Sequence, residues 1–204
     1  MTRVKLCGLM RPQDAEAANE AGPDFAGMIL SPGFRRSVPR KTAAEIRRIL
    51  RRDIVLCGVF VNPASEEIAR YLNEGIIDAV QLHGREDDRF IDSLRSSYPS
   101  VPIIKAFVIR GPEDLRTAQE SHADMILLDG GTGEGTSFDH RLLEGIRRDY
   151  ILAGGLNPEN AAGAVRDLHP FGLDTSSGIE TDGQKDPAKM KAFVKAVRTE
   201  DSRL

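Results

Sequence analysis

The stretch IVLCGVFVNP at residues 54–63 carries the pattern that decides the fold. Its first part, residues 54–61, is apolar without alternation, which is typical of a strand buried on both faces. Pro63 follows directly, and a proline at such a place is typical of the first turn of a helix. Ile68 and Leu72 then come at the spacing of one helix face. The stretch therefore predicts a strand that leads into a helix.

The same strand-then-helix pattern recurs along the whole chain. Apolar runs return roughly every 25 residues, as expected of the repeating units of a small barrel. They occupy residues 4–7, 25–30, 54–61, 79–82, 103–108, 125–128, 150–153 and 171–173. Prolines mark the expected starts of five helices: Pro12, Pro63, Pro112, Pro158 and Pro187. Asn157, directly before Pro158, is expected to be the N-cap of its helix.

Repetition of this unit with short connections predicts an α/β fold, a single-domain (β/α)8 TIM barrel over residues 1–204. An open, doubly wound parallel sheet is the alternative. It is less favoured because no GxGxxG motif follows the first apolar run. No linker and no low-complexity stretch in the sequence points to a second domain.

The composition argues against several classes of function. The net charge is -3 and the pI is about 5.9, whereas nonspecific nucleic-acid binding needs a basic face. Cys7 and Cys57 lack CxxC spacing and the histidines are scattered, so neither a disulfide framework nor a structural zinc site is expected. The sequence contains no signal-peptide or membrane-spanning run. We expect a reduced, cytoplasmic protein without metal, organic cofactor, nucleic-acid partner or membrane contact.

Active sites of such barrels lie at the carboxyl ends of the strands. Cys7 ends the first run and is a candidate base or nucleophile, although most free cysteines are small buried apolar residues. Asp129 follows the sixth run and is a candidate acid, or else a helix cap. Arg35 and Arg36 follow the second run, and one of the two is a candidate anion ligand, or else they belong to a plain surface loop. His83 is a site residue or a structural hydrogen-bonding residue, and Lys105 could pair with a carboxylate inside the barrel.

Two turns rich in glycine and serine predict a phosphate site. They are Gly154-Gly155 after the seventh run and Ser176-Ser177-Gly178 after the eighth. Phosphate sites built from these two loops recur in the fold, and glycines let backbone N–H groups approach the anion. Tight turn geometry alone is the alternative. Residues 130–135 are also rich in glycine, but they lack the GK[ST] ending of a P-loop and fit a loop over the barrel mouth better.

Several segments, taken together, resemble the phosphoribosylanthranilate isomerase family. They span nearly the whole chain in the family's order. Phosphate-binding barrels in general share only the loops after the seventh and eighth runs, so the full set is more specific than those loops alone. The segments are VKLCGLMRPQDA at 4–15, GVFVNP at 58–63, AVQLHG at 79–84, ILLD at 126–129, GEGTSFD at 133–139, AGGLNPENA at 153–161, DTSSGIE at 174–180 and GQKDPAKM at 183–190.

The resemblance implies an Amadori rearrangement, in which the aminoaldose N-(5'-phosphoribosyl)anthranilate becomes an aminoketose in tryptophan biosynthesis. It assigns Cys7 as the general base, Asp129 as the general acid and Arg36 as the ligand of the anthranilate carboxylate. His83 and Asp174 are expected to bind substrate, and the two glycine- and serine-rich turns to clamp the phosphate. The chain is expected to act as a monomer or a homodimer.

Three features depart from the family's pattern. Met10 stands where threonine is usual, His140 stands where tryptophan is usual, and the loop from Asp129 to Phe138 is shorter than expected. We expect the reaction type to be retained and the closure of the lid to be less complete.

Two other functions stay open at this point. A related sugar-phosphate isomerase of histidine biosynthesis, or a dual-substrate barrel, would need a second phosphate clamp after the third and fourth strands. The turns there, Asn62-Pro63 and His83-Gly84, are poorer in glycine and serine than the later pair. A barrel that only binds a phosphorylated metabolite is the third interpretation, and the presence of both Cys7 and Asp129 argues against it.

Overall fold

The computed structural model describes residues 1–130, 143 and 145–204, and its strands form a closed parallel barrel. The strands are β1 Arg3–Leu6, β2 Phe25–Ile29, β3 Val55–Phe60, β4 Ala79–Leu82, β5 Ile103–Val108, β6 Met125–Asp129, β7 Tyr150–Ala153 and β8 Gly172–Thr175. They follow chain order around the barrel, and β1 closes it by pairing with β8. The predicted TIM barrel is confirmed, and the open doubly wound sheet is wrong.

The described helices cover the outside of the barrel. They are α1 Pro12–Ala21, α2 Arg40–Ile49, α3 Ser65–Asn73, α4 Asp88–Ser97, α5 Pro112–Glu120, α6 Ala161–Leu168 and α7 Pro187–Asp201. Pro12, Pro112 and Pro187 begin their helices as predicted, whereas α3 begins shortly after Pro63. In the described part of the chain, no helix has both the length and the apolar character needed to cross a bilayer.

The helix α6 begins later than the sequence predicts. Its N-cap is Asn160 and not Asn157. The Asn157 side chain still accepts hydrogen bonds from the backbone N–H groups of Glu159 and Asn160, both at 3.0 Å. An asparagine can cap an isolated turn in the same way as a helix. Asn157 therefore stabilises the turn that leads into α6.

The last barrel strand continues beyond its apolar residues. The predicted run ends at Leu173, whereas β8 extends to Thr175. The register places Lys5 of β1 beside Asp174, and the lysine Nζ donates a hydrogen bond to the aspartate Oδ1 at 2.7 Å. Because this ion pair satisfies the buried carboxylate, β8 can carry a charged residue inside the barrel.

Alternate residues of each strand face two different cores. One set, including Leu56, Leu82 and Leu128, packs against the helices in a large outer cluster. The opposite set forms a small cluster inside the barrel: Cys57, Ala79, Ile104, Ala106, Leu127, Ile151 and Ala153. The same alternation turns another group of side chains inward. These are Lys5, Cys7, Gln81, His83, Asp129 and Asp174.

A short antiparallel hairpin follows β8 and is anchored to the loop after β2. After a single 3-10 turn, Ser177–Ile179, it consists of β9 Glu180–Thr181 and β10 Gln184–Lys185. The Glu180 side chain is 6% exposed and accepts hydrogen bonds from Arg36 at 2.6 Å, Arg35 at 2.7 Å and Lys185 at 2.8 Å. This carboxylate therefore ties three cationic side chains to the hairpin.

Replacing Phe193 tests the outer core. Its side chain is fully buried on α7. Phe193→Ala should lower the free energy of unfolding by about 3–5 kcal/mol, because it removes a large buried ring and leaves a cavity. Urea denaturation measures the loss. Lys195→Ala, at an exposed position of the same helix, is the control and should cost less than about 0.5 kcal/mol. Equal losses for the two variants would contradict this packing.

Glu180 makes stability depend on pH in the acid range. Burial alone would raise the pKa of Glu180, but hydrogen bonds from Arg36, Lys185 and Arg35 outweigh it and lower the pKa to about 2 from 4.5. A carboxyl with a depressed pKa stabilises the fold above its unfolded pKa. That contribution should disappear as the pH falls from 4.5 towards 2.

The measurement is the free energy of unfolding against pH for the unmodified protein and for Glu180→Gln. The two curves should be farthest apart near pH 7 and should converge in the acid range. A difference that stays constant with pH would show that the charge of Glu180 contributes nothing to stability.

Candidate active site

The carboxyl ends of the strands surround a cavity of about 330 Å³. Every residue that the sequence assigned to the site lines this cavity, except Gly178. The lining residues among them are Cys7, Arg36, His83, Asp129, Gly154, Gly155, Asp174, Ser176 and Ser177. A larger concavity of about 440 Å³ lies at the opposite end of the barrel, around Tyr150 and Phe171. It contains none of the assigned residues, so the mouth cavity is the candidate site.

Cys7 stands at the rim directly after β1. Its backbone N–H donates a hydrogen bond to the carbonyl of Thr175 at 2.8 Å, which holds it against the end of β8. The next residue, Gly8, has a φ of +79°. A Cβ at Gly8 would lie 2.8 Å from Arg36 Cδ and 2.9 Å from Ser176 Oγ. Glycine is therefore required here, because the chain must turn in a left-handed conformation between two other parts of the site.

Cys57 lies deeper in the barrel and outside the mouth cavity. Its side chain is fully buried among the inner apolar residues. Burial raises the pKa of Cys57 to about 12. The thiolate is the reactive form of cysteine, so Cys57 is inert at neutral pH.

Asp129 and His83 face each other across the mouth. The His83 Nε2 and the Asp129 Oδ2 are 3.8 Å apart. Burial lowers the pKa of His83 and outweighs the opposing charge of Asp129, so the ring is neutral near pH 7. The Gln81 amide nitrogen lies 3.3 Å from His83 Nδ1. If that amide donates, the ring proton sits on Nε2 and is directed towards Asp129.

Arg36 and Arg35 have different surroundings although they are neighbours in sequence. Arg36 lines the cavity and its side chain is 21% exposed, whereas that of Arg35 is 55% exposed and points away. The Glu180 carboxylate binds Arg36 along one side of the guanidinium, at 2.6 Å to Nε and 3.0 Å to Nη2. Arg36 is therefore the arginine placed to meet an anion in the cavity.

Asp174 lines the cavity, and Lys5 lies against it from inside the barrel. The Lys5 side chain is 1% exposed and pairs with Asp174. Burial opposes the charge of Lys5, but the negative charge of Asp174 and its hydrogen bond favour that charge, and the pKa of Lys5 is raised. The lysine is therefore charged, and Asp174 is its counter-ion.

The two predicted phosphate turns lie against each other. Gly154 and Gly155 have φ values of +96° and +66°. A Cβ at Gly178 would lie 1.9 Å from the carbonyl oxygen of Leu156, so the second turn packs on the first through glycine alone. The Thr175 hydroxyl donates to the same carbonyl at 2.6 Å. This contact brings backbone and hydroxyl groups of both turns to one side of the cavity.

The turns after β3 and β4 are closed in a different way. The Glu86 carboxylate accepts hydrogen bonds from the backbone N–H of Asn62 at 2.7 Å and of Gly84 at 2.9 Å. Lys105 Nζ also binds Glu86, at 3.1 Å. Lys105 does pair with a carboxylate, as the sequence suggested, but it does so on the outer face of β5 and not inside the barrel. The backbone donors of these turns are thus occupied by the protein's own carboxylate.

Four site residues were missed by the sequence analysis. Lys5 and Gln81 are polar residues within apolar runs at inward-facing positions, and that pattern could have revealed them. The Gln81 Oε1 is buried and makes no hydrogen bond to any described residue. Glu180 and Lys185 lay within recognised motifs, but only the folded hairpin shows that Glu180 contacts Arg36 and that Lys185 contacts Glu180.

The structure describes only one of the three features that depart from the family's pattern. Met10 is partly buried and packs against the outer core. His140 and the loop that ends at Phe138 lie outside the described residues. Among the residues that are described, no group of three or more His, Cys, Asp or Glu side chains is arranged to hold a metal ion.

Comparison with known proteins identifies the family. Residues 4–196 match the model described as N-(5'phosphoribosyl)anthranilate (PRA) isomerase. The isomerase of that name from Acetivibrio thermocellus is 37% identical over 214 residues, covering 98% of each chain.

Two solved structures have the same fold. One is a phosphoribosyl anthranilate isomerase in complex with reduced 1-(o-carboxyphenylamino)-1-deoxyribulose 5-phosphate, with a TM-score of 0.86 and 33% identity over 98% of this chain and 100% of that one. The other is a monomeric variant of the dimeric enzyme from Thermotoga maritima, with a TM-score of 0.86 and 32% identity over the same shares. The resemblance drawn from the motifs is confirmed, and the chain belongs to the N-(5'-phosphoribosyl)anthranilate isomerase family.

Proposed function

We propose that the protein converts N-(5'-phosphoribosyl)anthranilate to 1-(o-carboxyphenylamino)-1-deoxyribulose 5-phosphate by general acid–base catalysis. The observation that carries this proposal is the presence of Cys7 and Asp129, from β1 and β6, on the wall of one cavity that also contains Arg36 and the phosphate turns. One acid and one base at separate points of the wall can act on two ends of the reacting carbon framework.

Asp129 is the proton donor in the first step. Its carboxyl transfers a proton to the furanose ring oxygen, the C1'–O bond breaks, and the nitrogen lone pair forms an iminium at C1'. Cys7, as the general base, then removes the proton from C2', and the electron pair of that C–H bond forms the enolamine. In the ketonisation the C2' hydroxyl loses its proton to solvent, the O–H electron pair forms the carbonyl, and the electrons of the C1'–C2' double bond take up a proton at C1'. The rearrangement is redox-neutral overall, so it needs no external oxidant or reductant.

The remaining residues bind the two anionic ends of the substrate. Arg36 binds the anthranilate carboxylate through charge-assisted hydrogen bonds. The backbone and hydroxyl groups of the two turns, Gly154-Gly155 and Ser176-Ser177-Gly178, bind the phosphate. His83 donates a hydrogen bond to the ribose chain through Nε2. Asp174 lies under the sugar, and Lys5 neutralises the charge of the Asp174 carboxylate.

The closed turns after β3 and β4 count against a substrate with two phosphates. A second clamp would require free backbone donors there, but Glu86 accepts from Asn62 and Gly84. These contacts favour the single-phosphate substrate over that of the related histidine-pathway isomerase or of a dual-substrate barrel.

We also propose that the protein works in the cytoplasm, as a monomer or a homodimer. Both cysteines are free thiols, and a catalytic thiol suits a reducing compartment. Cys7, Asp129 and Arg36 of one chain line the same cavity, which suits either a monomer or a homodimer.

Substitution of Asp129 tests the mechanism. With the fluorescent anthranilate substrate, Asp129→Asn should reduce kcat by about 10²–10⁴-fold, the usual range for a lost general acid. Affinity for the reduced product analogue should change little, because the amide keeps the shape. Cys7→Ser should reduce kcat by about 10²-fold or more. If Asp174→Asn abolishes turnover while Asp129→Asn retains most of it, the acid is Asp174.

Arg36 and Arg35 form a matched pair for testing the carboxylate site, because both bind Glu180 and only Arg36 reaches the cavity. Arg36→Ala should lower kcat/KM, mainly by raising KM. The loss should correspond to roughly 2–3 kcal/mol of transition-state binding free energy, as expected for a lost charged contact. Arg35→Ala should leave both constants nearly unchanged. Steady-state kinetics of the two variants decide the assignment, and the reverse result would move the contact to Arg35.

A further inference from the structure

We propose that Glu180 is a positioning residue for substrate recognition: it holds Arg36 so that the free edge of the guanidinium faces the carboxylate of the substrate. Lys185 in turn fixes Glu180 to the phosphate turn. This inference rests on the proposed role of Arg36. It adds a residue that touches no substrate atom and acts through Arg36.

The contact between Glu180 and Arg36 uses one particular side of the guanidinium. Glu180 accepts from Nε and Nη2 of Arg36. The Nη1 group makes no hydrogen bond to any residue in the described part of the chain. An arginine held along its Nε side can still offer its outer edge, Nη1 and Nη2, to a second carboxylate. Arg36 is thus clamped on one side and available on the other.

Glu180 is itself fixed rather than mobile. Its side chain is 6% exposed, and Lys185, whose side chain is 1% exposed, binds the same carboxylate at 2.8 Å. Lys185 Nζ also donates to the Ser176 carbonyl at 2.7 Å and lies 3.3 Å from the Ser176 hydroxyl. The buried Lys185 ammonium group therefore links Glu180, which binds Arg36, to the phosphate turn.

Gly8 leaves the space in which these groups meet. A Cβ there would lie 2.8 Å from Arg36 Cδ, 2.9 Å from Ser176 Oγ and 3.3 Å from Lys185 Nζ. Arg36, the phosphate turn and Lys185 thus all lie next to Gly8, the residue after Cys7. The distance between the two anion sites is set by this junction, and a substrate with both anions must match it.

The charges of the cluster suit this role. Arg35, Arg36 and Lys185 surround the single carboxylate of Glu180, so the cluster stays cationic although all three side chains bind that carboxylate. An arginine without a partner would have many side-chain rotamers to lose on binding. Glu180 removes that cost before the substrate arrives, which is preorganisation of the binding site.

The test compares two ligands in several variants. The first ligand is reduced 1-(o-carboxyphenylamino)-1-deoxyribulose 5-phosphate, and the second is the same compound made with aniline, which lacks the carboxylate. The ratio of their dissociation constants, measured by calorimetry at pH 7, reports recognition of the carboxylate alone. A loss of fold or of phosphate binding affects both ligands and leaves the ratio unchanged.

In the unmodified protein the carboxylate ligand should bind more tightly, and Arg36→Ala should abolish that preference. Glu180→Gln keeps the shape of the side chain and should reduce the preference by roughly tenfold, within the range of coupling between contacting residues. Adding Glu180→Gln to Arg36→Ala should have no further effect. Asp78→Asn is the control: it weakens the 2.7 Å ion pair between Asp78 and Arg47, which lies away from the mouth. This variant should leave the preference intact.

Each other outcome overturns a specific statement. If Arg36→Ala abolishes the preference but Glu180→Gln preserves it, Glu180 only anchors the hairpin and this inference is wrong, while the role of Arg36 stands. If Arg36→Ala itself preserves the preference, the proposed role of Arg36 fails and the inference fails with it. If Asp78→Asn lowers the preference as much as Glu180→Gln, the effect is a general loss of stability.

Discussion

Closure of the barrel between β1 and β8 brings a lysine and an aspartate together in its interior. The arrangement of residues at the mouth of the barrel depends on that pair. Lys5 and Asp174 are neighbours in the register and form an ion pair at 2.7 Å. Breaking a buried pair by removing one partner is costly, because the other charge is left unpaired in a region without water. A shift of one residue in either strand would turn that strand's member of the pair to the opposite face and separate the two charges. The pair therefore specifies how the barrel closes.

That register determines what faces the mouth. With Lys5 inward, Cys7 is the next inward position along the chain and stands at the rim, directly after β1. Asp174 is level with Lys5 on β8 and precedes the turn that carries Ser176. Below this level the barrel is filled by apolar side chains such as Ala79 and Leu127. The polar residues thus stand at the mouth end of an apolar core, where burial strengthens the hydrogen bonds of those that are enclosed.

The barrel was predictable because its signal is local. Strands buried on both faces give continuous apolar runs, and each run marks a strand within a residue or two. The end of β8 at Thr175 was not predictable in this way, because only pairing with Lys5 keeps Asp174 inside. The start of α6 was misjudged because Asn157 caps a turn as readily as a helix. Strand ends likewise revealed Cys7 and Asp129, since the fold alone places them at the mouth.

Residues that act through other residues were beyond the sequence because their meaning arises from tertiary contacts. Glu180 reads as an ordinary acidic residue until the hairpin carries it to Arg36. Its position also explains how a protein with a net charge of -3 can attract an anion with two charged ends. Local charge, and not the total, governs binding in a concave site. On one side of the mouth Arg36 and Lys185 outnumber their carboxylate, whereas on the other side Glu86 occupies the backbone donors of two turns. In the proposed binding mode both anionic ends of the substrate bind along the half of the rim that runs from β2 past β1 and β8 to β7, and this asymmetry orients the substrate.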